Sequence, residues 1–151
     1  MLDLVYENSV KEKSYNSKFF EKVLVTGVKE LGLDKKDLGI SINLVGEERI
    51  RGLNKKYRNK DKVTDVLSFP LNKKSVIYNS KLTNLDLGDI FICLSFAKKE
   101  AKRENVSIEK KLAWLTVHGL LHLTGYDHET SDKDEKEMVA MENKIIQKLK
   151  L

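Results

Sequence analysis

The chain has 151 residues, 40% of them hydrophobic and 34% charged, with a formal net charge of +5. That supplies one core and excludes two comfortable domains, so a single domain over residues 1–151 is expected. No apolar run nears the ~20 residues of a membrane-spanning helix, the first residues include acids where a secretory signal carries bases, and one cysteine excludes an internal disulfide, so a soluble cytoplasmic protein without membrane partners is expected.

Leu2 to Tyr6 suits a strand. Phe20, Val23, Leu24, Gly27, Val28 and Leu31 recur at helical spacing and predict a first helix over about 17–31, stopped by Gly32. Ile40, Ile42 and Leu44 alternate with Ser41 and Asn43, the period of a half-buried strand. A second helix over about 47–57 turns Ile50, Leu53 and Tyr57 inward and puts Arg51, Lys55 and Arg58 on another face. The basic run is dense here: Arg49, Arg51, Lys55, Lys56, Arg58, Lys60 and Lys62 share fourteen residues with one acid, Asp61. Such a surface suits a polyanion.

Val66 to Phe69 predicts a short strand closed by Pro70, and Asp89 to Leu94 a buried one containing Cys93 as a small core residue. Residues 71–87 between them are polar and irregular, long enough to read as a mobile flap. Ser95 is the expected cap of a helix running to about Glu104, and Ser107 that of the next. From Leu112 to Leu123 that next helix is apolar nearly all round, which predicts cover on most sides and partial burial of His118 and His122. A closing amphipathic helix carries Asp132, Asp134 and Glu135 in its first turn, lysines in its last, and Met138, Met141, Ile145 and Leu149 as its inner stripe.

The only three histidines, His118, His122 and His128, fall within eleven residues. On a helix His118 and His122 stand about 40° apart on one face and about 6 Å apart along the axis, within reach of one ion. His128 would point away if the helix ran on. Gly125 supplies the stop that lets the chain fold back. Three imidazoles with a fourth position open describe a catalytic zinc site, and nickel or copper would also accept them. The spacing matches the extended zinc-peptidase pattern H-E-x-x-H-x-x-G-x-x-H except that Gly119 replaces the glutamate, so the usual general base is missing and peptide hydrolysis is disfavoured. Gly119 points instead to close approach by a substrate or another element, or to plain helix packing.

Read together with Thr64 to Pro70, Arg58 and Leu87-Gly88-Asp89-Ile90, the stretch His118 to His128 resembles the bacterial YbeY family of ribosomal RNA maturation factors over roughly residues 40–145. The resemblance implies an α+β domain, a small mixed sheet of about four strands flanked by about five helices, with a zincin-like central helix bearing the histidines. It also implies one zinc ion held by His118, His122 and His128. The activity implied is that of a single-strand-specific, metal-dependent endoribonuclease acting on the 3′ end of 16S ribosomal RNA and in ribosome quality control, with the small ribosomal subunit as partner. The family's functional arginine matches Arg58, whose guanidinium suits a bidentate phosphate contact, and Arg51, Lys55 and Lys56 beside it suit the RNA backbone. Asp65 and Asp127 each fit support for a histidine, the missing base or a plain structural hydrogen bond, and Ser68 has no assigned role. Two other functions fit fewer residues: a metallopeptidase, opposed by Gly119, and a ribosome assembly factor whose metal only supports the fold.

Overall fold

The computed structural model describes residues 1–79, 81–127 and 129–151. Among them the chain forms β1 (Leu2–Asn8), α1 (Ser17–Glu30), β2 (Asp37–Val45), α2 (Glu47–Arg58), β3 (Val66–Pro70), α3 (Lys74–Asn79), β4 (Asn84–Cys93), α4 (Leu94–Glu104), α5 (Ile108–Leu123) and α6 (Asp132–Leu149). The four strands make one mixed sheet in the order β1-β2-β4-β3, with β1 and β4 parallel to β2 and β3 antiparallel to β4. This is the expected small mixed sheet flanked by helices, with one helix more than expected.

Local chemistry starts the helices where the sequence indicates. Asn16 accepts hydrogen bonds from the backbone N–H groups of Lys18 and Phe19, Ser107 from that of Lys110, and Ser131 from that of Asp134. Ile40, Ile42 and Leu44 turn one face of β2 into the main core, where Phe20, Leu24, Leu112, Leu115 and Leu120 from α1 and α5 meet the sheet. A second cluster joins α1, α5 and α6 through Val23, Val117, Leu121, Met138 and Ile145, and a third sets Ile50 of α2 with Val45, Leu67 and Cys93. Helix α5 is the hub, packing on α1, α4, α6, β3 and β4.

Three expectations need correction. The segment 71–87 is not irregular throughout, because its described residues hold α3, anchored by the fully buried Ile77, and the first residues of β4. The early part of β4 shows no steady alternation because its inward residues change phase. Leu85 and Leu87 are buried, then Ile90 and Ile92, and the register slips where Gly39 and Ile40 face Asp86 and Gly88. Gly88 takes φ +127 at this bulge, a conformation other residues rarely adopt. Ser95 does not cap α4, which starts at Leu94 from Cys93 without a side-chain cap bond. Tyr57 does not point inward on α2; it is exposed, while Asn54 is buried and donates to Lys62 O at 3.0 Å.

Candidate metal centre

Burial on most sides holds α5 rigidly: Leu112, Ala113, Leu115, Thr116, Val117, Gly119, Leu120, Leu121 and Leu123 are all buried. His118 and His122 occupy the remaining stripe, half-buried as expected. Gly119 is explained by packing against another element, since a methyl group there would come within 2.9–3.1 Å of the Ile90 side chain on β4. Gly125 ends the helix as its spacing predicts. It takes φ +98, its N–H reaches His122 O at 3.1 Å, and the Tyr126 N–H reaches Leu121 O at 2.9 Å. Those two bonds form the reversal in which a glycine just beyond the helix satisfies the last carbonyls.

The two histidines meet tip to tip, with Nε2 of His122 3.2 Å from Nε2 of His118. Nδ1 of His118 faces Oε1 of Glu142 on α6 at 3.2 Å, and Trp114 stacks on the His118 ring at a centroid distance of 4.9 Å. Glu142 is 4% exposed, so its carboxylate is held away from water against the imidazole. With Nδ1–H donating to this carboxylate, a neutral His118 carries its lone pair on Nε2, toward His122. Two nitrogens each about 2.0 Å from a tetrahedral ion stand roughly 3.3 Å apart. The observed spacing and the carboxylate behind His118 therefore fit a zinc ion. His128 lies outside the described residues, and among those described no three His, Cys, Asp or Glu side chains converge on one point.

The histidines line a cleft of about 730 Å³ with Arg58, Lys60, Lys62, Asp65, Ser68, Gly119, Tyr126 and Asp127. Arg58 sits at the end of α2, where Nη2 donates to Ser68 O at 2.6 Å and the guanidinium lies 5.6 Å over the Phe69 ring. Strand β3 thus fixes the arginine at the rim and gives Ser68 a role through its backbone. The other predicted RNA contacts fall elsewhere. Arg51 is paired with Asp61 at 2.7 Å, Lys55 and Lys56 are exposed on α2, and none of the three lines the cleft. Lys60 and Lys62, from the same basic run, do line it.

Asp65 lines the cleft and backs onto Glu100 of α4, whose carboxyl is pushed up to about 7 by burial and by Asp65, against the opposing pull of Lys111. Lys111 is itself buried, 3.5 Å from Glu100 Oε1 and 2.9 Å from Glu104 Oε1, with its ammonium 5.2 Å over the Trp114 ring. Two ionised carboxylates offer each other only acceptors, so a proton on Glu100 turns the contact with Asp65 into a hydrogen bond. Neither Glu142 nor Glu100 stands out in the sequence by motif or spacing. Glu142 does leave a signal, since Met138, Glu142, Ile145 and Leu149 are the buried positions of α6 and one of them is an acid.

The Endoribonuclease YbeY family model matches residues 5–150. Among relatives, an Endoribonuclease YbeY of Sulfurihydrogenibium sp. (strain YO3AOP1) is 40% identical over 97% of this chain and 91% of its own length. One from Acinetobacter baumannii (strain ACICU) is 41% identical over 87% of this chain and 82% of its own. The solution structure of TM1509 from Thermotoga maritima superposes with a TM-score of 0.65 at 31% identity, covering 96% of this chain and 87% of that one. The chain belongs to the Endoribonuclease YbeY family.

Proposed function

We propose that this protein is a single-strand-specific, zinc-dependent endoribonuclease that matures the 3′ end of small-subunit ribosomal RNA and acts in ribosome quality control in the cytoplasm. The observation that carries the metal dependence is the meeting of two imidazole Nε2 atoms at 3.2 Å on the wall of a cleft that also holds Arg58. His118, His122 and His128 would hold the ion, which when bound supplies Lewis acidity to the phosphodiester. Glu142 holds the His118 proton on Nδ1 and leaves the lone pair on Nε2, the atom that would coordinate.

Arg58 keeps one N–H on Ser68 O and presents its other N–H groups to the cleft, where they stabilise charge developing on a phosphate. Lys60 and Lys62 neutralise neighbouring backbone phosphates, which makes binding weaken steeply with salt. Gly119 leaves no carboxylate beside His118 at the position a peptidase would use. Asp65 is a carboxylate lining the cleft, braced from behind by Glu100.

His122→Ala tests this directly. Both the bound metal, measured by elemental mass spectrometry, and cleavage of an unstructured RNA should be lost. Cleavage persisting unchanged in the variant would refute the proposal.

A further inference from the structure

A second cleft, about 460 Å³, continues from the first. The two share Pro70, His122 and Gly125, so they meet at the second histidine; the new one adds Leu71, Asn72, Lys73 and Lys74. No carboxylate is among its described lining residues. The segment carrying the lysines is fixed in place. The Leu71 N–H donates to Leu87 O at 3.1 Å, Asn72 Nδ2 to Asp86 O at 2.6 Å, and Ile77 is fully buried one turn further on. Lys74 lies with its stem against Gly125, where an added Cβ would be 2.6 Å from Lys74 Cβ, and with its ammonium 5.1 Å from the Tyr126 ring centre. Leu71 stands beside it, 61% exposed although apolar.

Cations that track a backbone, set next to an apolar surface that accepts the flat face of a base, are what a groove for an unpaired strand requires. We propose that Lys73, Lys74 and Leu71 form a second RNA subsite: the lysines hold phosphates and Leu71 holds a base beyond the point where the strand passes His122. This rests on the endoribonuclease function proposed above and adds to it. A strand gripped at Lys60 and Lys62 and again at Lys73 and Lys74 is held on both sides of the histidines. No chain end is recognised, and the cut falls within the strand.

The test is binding of a fluorescein-labelled oligouridine to the full-length protein in the presence of a chelator, followed by anisotropy across a salt series. In Lys73→Gln/Lys74→Gln, which keeps the stem packed on Gly125, the slope of log K against log salt should fall by about 1.4, at roughly 0.7 for each single-strand phosphate no longer neutralised. Leu71→Ser should weaken binding several-fold with the slope unchanged. Should the double variant melt early, the exposed single variant Lys73→Gln should lower the slope by about 0.7. Wild-type binding with an identical slope in both lysine variants overturns the second subsite alone. A wild-type protein that does not bind the oligouridine in chelator and does not cut it once zinc is restored overturns it together with the proposed function.

Discussion

Replacing Glu142 by glutamine should move metal affinity and metal-free stability in opposite directions. The carboxylate is almost wholly buried and faces His118 Nδ1 at 3.2 Å, so under the proposed function it would serve the ion by fixing the imidazole's tautomer. Removing such a partner typically weakens metal binding ten- to a hundredfold, about 1.4–2.7 kcal/mol. Glutamine keeps the shape and an acceptor oxygen, so the lower end, about tenfold, is expected. Without metal, a buried charge set against an imidazole costs more than a neutral amide, and the variant should be more stable by about 1 kcal/mol. For a domain of this size that raises the melting temperature by roughly 3 °C. Zinc affinity would be read by competition with a chromophoric chelator, and metal-free stability by thermal unfolding in excess chelator. Equal zinc affinity in variant and wild type would refute the role given to Glu142.

Gly119→Ala gains about 1 kcal/mol of helix propensity but drives a methyl group against Ile90, where overpacking costs about 1–3 kcal/mol. A net destabilisation near 1 kcal/mol in chemical denaturation is expected on those two magnitudes, and a stabilised variant would show that β4 yields. Glu100 binds its proton more tightly in the folded protein than in the unfolded chain, so its stabilising contribution is complete in acid and is lost as pH rises from the usual carboxylate range through about 7. Wild-type stability should decline across that window and Glu100→Gln should flatten the decline, as read from denaturation midpoints at several pH values. Arg58→Lys keeps the charge but loses the planar fork that serves Ser68 O and a phosphate together, so kcat/KM on single-stranded RNA should fall at least about tenfold. Unchanged kinetics would make Arg58 a surface residue.

Periodicity and capping chemistry made most of the fold legible. Alternation marked β2, Ser107 marked the start of α5, and Gly125 marked its end. The segment 71–87 was illegible for two physical reasons. Helix α3 is six residues long, too short to show a period, and it is held by tertiary burial of Ile77. The start of β4 hides behind a bulge that reverses the in–out alternation at Gly88. At the site, His118, His122 and Arg58 could be named from spacing and resemblance because they lie on regular helices. Glu142, Glu100 and the separation of Lys60 and Lys62 from Lys55 and Lys56 depend on how α6, α4 and the residues after α2 pack, which no local pattern encodes. Tyr57 shows the same limit: it occupies an inward position by helical arithmetic, yet on α2 only Ile50 and Asn54 are buried.

The most direct test of a histidine-held metal acting on RNA is a titration of zinc into fully chelated, desalted protein, scored by cleavage of an unstructured RNA. Activity should be absent at the start, rise linearly and level off at one equivalent per chain. Full activity before any zinc is added, with metal content verified as zero, would contradict it.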